Sequence, residues 1–151
     1  MEKRDFNALF TKNDPATGTL IYYEDEELQN PFNGMFYDLS PDGLLQWEAE
    51  VKNGKINGIE KHYYPSGRLE QINQMRDNTI CGISKEYDEN GKITSESIVI
   101  RNVYVKSISY NEHGEIIERY DMPSEKMSSS LKEQIVDYLD LRIGDGEGIK
   151  L

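Results

Sequence analysis

The sequence predicts a mainly β protein in which antiparallel β-hairpins stack into a single-sheet solenoid, with a period of about 24 residues and a C-terminal capping α-helix. Three sets of turn residues recur at this spacing, and each set is independent of the others. The first set is Gly34, Gly58 and Gly82. The second is Gly43, Gly67 and Gly91, with Gly114 following after 23 residues. The third is Asn53-Gly54, Asp77-Asn78 and Arg101-Asn102. Agreement among three registers indicates an internal repeat.

The N-terminal segment, residues 1–33, is interpreted as a lead-in followed by a degenerate half-repeat. Thr19–Tyr23 alternates like a strand, and Gly18 precedes Gly43 by 25 residues, close to the period. Terminal repeats are commonly atypical because their outer side faces water. An apolar trio is expected to pack against the first repeat: Phe6, Leu9 and Phe10.

Residues 34–120 are predicted to form four hairpin repeats. Each unit has two short strands, such as Ile59–Tyr64 and Arg68–Met75, joined by a turn of Pro, Asp, Ser or Asn before Gly. Four apolar columns are expected to lie on one side of the sheet as a buried ladder. They are Met35, Ile59 and Ile83; Leu39, Tyr63, Tyr87 and Tyr110; Leu45, Leu69, Ile93 and Ile116; and Val51, Met75 and Val99. Core packing is the simplest role for the tyrosines, and ligand binding is the alternative.

The opposite side of the sheet is predicted to be polar and mostly negative. It is either a solvated face, which antiparallel sheets often have, or a docking surface for a basic partner. The candidate partner-binding residues on it are Asp38, Glu48, Glu60, His62, Glu70, Glu86 and Glu96. A dense acidic run earlier in the chain has the same two interpretations: Glu24, Asp25, Glu26 and Glu27.

Residues 121–151 are predicted to hold a helix of about three turns and a mobile tail. Ser130 and Glu133 have the spacing of a capping box, the apolar pattern over 131–142 follows one helical face, and Gly144 fits the helix end. This helix is expected to cover the open end or one face of the sheet and to shield an edge strand. Residues 1–151 are accordingly taken as one domain.

Composition narrows the choice of partners. The formal net charge is −11 and the pI is about 4.6, so nucleic acid and anionic membrane surfaces are disfavoured and a basic protein is favoured. A single cysteine allows no intramolecular disulfide. The N-terminus has no apolar run of the signal-peptide kind, and no segment has transmembrane length, so we expect a soluble, cytoplasmic protein.

Catalytic chemistry finds little support in the sequence. We expect no enzyme activity, no metal site and no cofactor, because no phosphate loop, zinc-type Cys or His spacing, or nucleophile set is present. His62 falls on the polar face, and His113 and Cys81 replace turn residues of sister units. A Cys–His pairing remains open at this point, as does a hydrolase that uses Glu and His62.

Residues 52–69 (KNGKINGIEKHYYPSGRL) and 82–93 (GISKEYDENGKI) resemble the variant MORN repeat. The resemblance covers about residues 33–120, although the fourth unit has Val105 in place of the opening Gly and lacks one residue. It implies a β-hairpin solenoid that binds protein. Bacterial proteins built from this variant are often antitoxin or immunity components. The leading hypothesis is therefore an immunity protein that neutralises a cognate toxin, which is expected to be basic, with a nuclease as one candidate class. The alternative is a MORN-type scaffold unrelated to toxins.

Overall fold

The computed structural model describes residues 1–151 and has eleven strands and one α-helix. The elements are β1 (Lys3–Asp5), β2 (Phe10–Asn13), β3 (Leu20–Tyr23), β4 (Gly34–Leu39), β5 (Leu45–Lys52), β6 (Lys55–Tyr63), β7 (Leu69–Arg76), β8 (Thr79–Tyr87), β9 (Ile93–Ile100), β10 (Val103–Tyr110), β11 (Ile116–Asp121) and α1 (Ser129–Gln134). Nine strands form one sheet in the order β1-β4-β5-β6-β7-β8-β9-β10-β11. Within this sheet only β1 pairs in parallel. The predicted mainly β fold, a sheet of consecutive antiparallel hairpins followed by a C-terminal helix, is confirmed.

Two-residue turns close one margin of the sheet at the predicted 24-residue step. In Asp77-Asn78 and Arg101-Asn102 both residues have positive φ (47° and 68°, then 47° and 67°), as type I′ turns require. The Asn78 side-chain carbonyl accepts the Ile56 amide at 2.7 Å, and Asn102 accepts the Ile80 amide at 2.8 Å. Each turn is thereby tied to the preceding hairpin, which explains why asparagine recurs there.

Three-residue loops close the other margin. At Tyr64–Arg68 the Tyr64 amide donates to the Arg68 carbonyl and the Gly67 amide to the Tyr64 carbonyl, both at 2.8 Å, and the other three loops repeat this pattern. Each loop shifts the strand register by one residue, for example between His62 and Tyr63. Such a shift reverses which side of the sheet later residues occupy.

These shifts correct the predicted ladder. We call the side that carries Phe36, Glu60 and Ser84 face A, and the side that carries Ile59 and Ile83 face B. Three of the four apolar columns align on face B as predicted. The fourth lies on face A, because its members pair with the repeat glycines of the neighbouring strand: Val51, Met75 and Val99.

The face-B ladder is also less buried than predicted. Ile59 and Ile83 are half-buried, and Leu39 is exposed at 40%. On face B, full burial of strand residues occurs only where the C-terminal segment covers the sheet.

A second irregularity in each repeat requires glycine. The Gln74 side-chain carbonyl accepts the Ile83 amide at 2.8 Å beside Gly82, and Glu50 accepts the Ile59 amide beside Gly58 in the same way. Gly82 has φ +130°, and a Cβ there would collide with the Gln74 side chain. The repeated Gly therefore leaves room for a side chain that pairs a strand amide.

The N-terminal segment covers face A of the first repeats. Phe6 packs on Phe36 and Trp47 with ring centroids 5.3 Å away in each case, and Phe32 is fully buried. Two expectations are wrong here. Phe10 is 39% exposed, and β3 pairs with β2 in a separate two-stranded sheet instead of adding a half-repeat.

The C-terminal residues cover face B of the last repeats. The α-helix is shorter than predicted because α1 passes into a 3-10 turn at Ile135–Tyr138, and its N-cap is Ser128, which accepts the Leu131 amide at 3.1 Å. Leu131 and Ile135 pack with Cys81, Ile100 and Val105 and leave β11 as the sheet edge.

The segment after the helix is held against the sheet, contrary to the expected mobile tail. Ile143 is buried on Ile98 and Ile108, and the Glu147 carboxylate pairs with Lys106 at 3.3 Å and Arg119 at 3.1 Å.

Candidate functional site

The candidate site is a row of polar side chains on face A, beside the three-residue loops. Strand pairing places one residue from each strand directly opposite the next across β4 to β11. In order, they are Asp38, Trp47, His62, Gln71, Glu86, Ser95, Ser109 and Glu118. We call the carboxylates of this row, together with Glu70 next to Gln71, the acidic strip: Asp38, Glu70, Glu86 and Glu118.

The acidic strip carries charge that no nearby cation neutralises. None of its four carboxylates lies within 4.0 Å of a Lys or Arg nitrogen. The lysines of the central strands, Lys61, Lys85 and Lys106, alternate onto face B. Along this row the strand residues carry carboxylates and no lysine or arginine.

Glu60 supports the strip from beneath. It is only 7% exposed and accepts hydrogen bonds from Trp47 Nε1 at 3.1 Å and Asn73 Nδ2 at 3.0 Å, with His62 Nε2 at 3.3 Å. Burial acts to raise the pKa of Glu60, but the bonds from His62, Asn73 and Trp47 outweigh it and lower the pKa. Glu60 is thus an ionised, buried anchor and is not available to touch a partner.

His62 is positioned from two sides. Its ring stacks on Trp47 with a centroid distance of 5.8 Å and an interplanar angle of 12°. Its Nε2 faces Glu60. The Asn73 carbonyl in turn accepts from Ser84 Oγ at 2.6 Å and from Gln71 Nε2 at 3.1 Å, so the network continues across three strands.

Two shallow hollows follow the strip. One, of about 350 Å³, is lined by Asp38, Gln46, Trp47, His62, Tyr63 and Glu70. The other, of about 210 Å³, is lined by Tyr64, Glu70, Gln71, Glu86, Tyr87 and Thr94. They share Glu70, which places carboxylates at both ends of each hollow.

The structure separates two predicted residues from this site. Glu48 and Glu96 lie on face B, where they accept the Tyr63 and Tyr110 hydroxyls at 2.7 and 3.1 Å. Burial and the adjacent Glu96 raise the pKa of Tyr110 to about 12. The register shifts caused these misplacements, because residues on opposite sides of a shift no longer share parity.

The acidic run Glu24–Glu27 lies apart from the strip. It follows β3, which contacts the two-residue turns at the far ends of the strands, where the Asn78 amide donates to the Leu20 carbonyl at 2.8 Å. Asp25 closes its own loop by accepting the Gln29 and Asn30 amides at 3.0 and 2.8 Å. Glu24, Glu26 and Glu27 remain exposed.

The Cys–His pair left open by the sequence does not form. Cys81 is buried and contacts the Tyr138 hydroxyl at 2.8 Å on face B, whereas His62 lies on face A. No three His, Cys, Asp or Glu side chains are arranged to hold a metal ion. No helix has the length and apolar character needed to cross a bilayer.

Sequence reasoning missed Trp47 and Glu118 as members of the row. Trp47 has no aromatic counterpart in the other repeats, and Glu118 belongs to the last strand, beyond the aligned columns. Strand pairing with a one-residue shift per loop would have found both, since it places each opposite a known member.

Comparison with known families agrees with the hairpin architecture. Residues 56–77 and 80–99 match the family model described as MORN repeat variant. These spans correspond to the β6–β7 and β8–β9 hairpins. No curated protein and no solved structure matched the chain. Repeats of this kind favour a scaffold that binds protein.

Proposed function

We propose, starting from these two MORN-variant hairpins, that the chain is a protein-binding scaffold whose acidic strip neutralises a cognate basic toxin as an immunity protein. It would act by occlusion and not by catalysis. The unpaired carboxylates of face A are the observation that carries this proposal.

Charge favours a basic partner. The whole chain has a formal net charge of −11, and no Lys or Arg nitrogen lies within 4.0 Å of the strip carboxylates. Such a surface accelerates association with a cationic protein and repels nucleic acid. A toxin that binds phosphate groups through lysine and arginine side chains would present those same side chains to the strip.

Shape and size fit a protein surface better than a small ligand. Seven strand spacings separate β4 from β11 along the row, which at about 4.8 Å each gives a length of about 34 Å. That length suits an interface burying about 800 Å² per partner. The two hollows around Glu70 have the dimensions of single long side chains, and each is rimmed by carboxylates.

The test uses the protein encoded by the adjacent gene as the partner. We expect a basic domain to co-purify with the wild-type chain, its toxic activity to be blocked in the complex, and the Kd measured by calorimetry to weaken as salt rises. The variant Glu70→Lys/Glu86→Lys should weaken binding by about 100-fold or more, because two attractive contacts become repulsive.

A matched control separates site from net charge. Glu125→Lys/Glu133→Lys makes the same charge change at exposed positions in the C-terminal segment, away from the strip, and should alter Kd by less than about threefold. Equal weakening by both pairs, or binding that salt leaves unchanged, would overturn the assignment of the strip. If the partner binds through the strip but has no toxic activity, the scaffold proposal stands and the immunity role is wrong.

A further inference from the structure

The larger of the two hollows along the acidic strip combines aromatic rings with carboxylates. We call it the Trp47 hollow. Its volume is about 350 Å³, and its lining residues are Asp38, Gln46, Trp47, His62, Tyr63 and Glu70. Two of these six side chains are carboxylates and none is a lysine or an arginine, so a cation that enters the hollow meets acidic and aromatic walls.

The aromatic part of the hollow is a preformed pair of rings. The Trp47 and His62 rings stack with a centroid distance of 5.8 Å and an interplanar angle of 12°. Phe6 and Phe36 pack on Trp47 with centroid distances of 5.3 and 4.5 Å, which fixes its ring from the covered side of face A. The His62 side chain is 37% exposed, so the pair is held in place by the core and remains open to solvent.

A buried carboxylate binds both rings from beneath. Glu60 is 7% exposed, accepts a hydrogen bond from Trp47 Nε1 at 3.1 Å and lies 3.3 Å from His62 Nε2. An ionised carboxylate only accepts hydrogen bonds, so His62 Nε2 carries a proton and donates to it. Because donation to an anion polarises each ring and enriches it in electrons, both rings attract a cation more strongly.

The charge of Glu60 has no lysine or arginine partner within the chain. Its only basic neighbour within 4.0 Å is His62, and its other donors are the neutral groups of Trp47 and Asn73. An ionised carboxylate that is buried without a full counter-charge is costly. A cation placed against the ring pair would offset this cost, which gives the hollow a preference for positive charge beyond that of its rim.

The rim supplies two carboxylates on opposite sides of the rings. Asp38 lies on β4 and Glu70 on β7, with the strands of Trp47 and His62 between them. Asp38 Oδ2 accepts from Gln46 Nε2 at 2.8 Å, and Glu70 is exposed. A planar cation that lies against the rings can therefore donate to a carboxylate on either side.

We infer that the Trp47 hollow is an arginine-binding site, which takes one arginine side chain of the partner protein. The guanidinium lies against the Trp47–His62 ring pair, and its N–H groups donate to Asp38 and Glu70. Arginine fits better than lysine because its charged group is planar, weakly hydrated and carries donors along its edges, whereas an ammonium is compact and strongly hydrated. The inference rests on the proposed function for the identity of the partner, but the site can be tested without that partner.

The probe is the peptide acetyl-Gly-Arg-Gly-amide, titrated into the full chain at constant ionic strength. Trp47 is the only tryptophan, so its fluorescence reports binding in the hollow. We expect a saturable change with a Kd on the order of 1–10 mM, as suits one side chain without the rest of a partner. The lysine peptide should bind at least about fivefold more weakly, and the citrulline peptide, which has nearly the same shape without the charge, should give no saturable change.

Variants of the rim assign the binding to this hollow. Asp38→Asn/Glu70→Gln removes both rim charges with little change of shape and should raise Kd at least about tenfold. The control Glu125→Gln/Glu133→Gln removes two exposed charges from the C-terminal segment and should leave Kd within about twofold of the wild-type value. Urea unfolding of all variants checks that each is folded under the conditions of the titration.

The arginine site would be overturned by absence of saturation up to about 50 mM arginine peptide, by equal binding of the lysine peptide, or by equal Kd values for the rim variant and its control. A basic toxin whose Kd is unchanged by Asp38→Asn/Glu70→Gln would also defeat it, while leaving the proposed function intact. Saturable, arginine-specific binding in a chain that neutralises no toxin would keep the arginine site and remove the immunity role.

Discussion

Replacing Glu60 by glutamine tests the buried anchor beneath the acidic strip. The side chain is 7% exposed, and its two oxygens receive donors from Trp47, Asn73 and His62. Glutamine keeps the shape of the side chain but replaces one acceptor oxygen by an N–H donor. Either Trp47 Nε1 or Asn73 Nδ2 then faces another donor instead of an acceptor. Hydrogen bonds to a charged group contribute about 1.5–3 kcal/mol, and an orphaned buried donor costs about 1–3 kcal/mol. We expect Glu60→Gln to lower the free energy of unfolding by about 2–3 kcal/mol at pH 7.

The pH dependence follows from the lowered pKa of Glu60. Because the folded pKa lies below the ordinary value of 4.5, the folded state gains stability from the ionised carboxylate above that pH. This gain is lost as pH falls through the folded pKa. The stability gap between wild type and Glu60→Gln should therefore be full at pH 7 and shrink below about pH 4.5.

Urea unfolding followed by Trp47 fluorescence is the assay, since Trp47 is the only tryptophan and contacts Glu60 directly. Thermal unfolding should show a drop in Tm of about 4–10 °C for a chain of this length. Glu70→Gln, at an exposed neighbour, is the control and should change stability by less than about 0.5 kcal/mol. A loss below about 0.5 kcal/mol for Glu60→Gln, or a gap that stays constant from pH 7 to pH 3, would refute the role of Glu60 as an ionised anchor.

Three further perturbations test the repeat. Gly82→Ala should lower the free energy of unfolding in urea by about 2–4 kcal/mol, because Gly82 has φ +130° and a Cβ there would collide with Gln74. Adding Gln74→Ala should recover part of this loss. Purely additive losses would contradict the collision. Asn102→Ala should lower the free energy of unfolding by about 1.5–3 kcal/mol, because it leaves the Ile80 amide without its acceptor and strains the turn. Asn102→Gly should lower it less in the same measurement. Equal losses would argue against turn strain. Lys106→Met should release the tail and speed hydrogen exchange over residues 143–149, because it removes a fully buried ammonium from its carboxylate partners. Unchanged exchange would show that apolar packing alone holds the tail.

The candidate site was only partly predictable because face assignment depends on local geometry. Asp38, His62, Glu70 and Glu86 were placed on one polar face from their columns. Strand pairing puts Asp38, His62 and Glu86 on that face, and Glu70 lines the same hollows at the register shift. Glu48 belonged to a column of the same period, yet it lies on face B. The different faces result from the one-residue register shift at each loop. That shift depends on backbone hydrogen bonds, which the residue pattern does not reveal.

The sequence alone determined the repeat length, the positions of the turns and the hairpin order. These are local properties: glycine and asparagine tolerate positive φ, and alternating side chains between them select strands. Only the tertiary structure decided which face each terminal segment covers, because those contacts join residues far apart in the chain, such as Phe6 with Phe36 and Ile143 with Ile108. By covering face A at one end of the sheet and face B at the other, the two segments leave the acidic strip exposed on face A. The exposed surfaces thus follow from packing between distant parts of the chain, which a local periodic pattern does not encode.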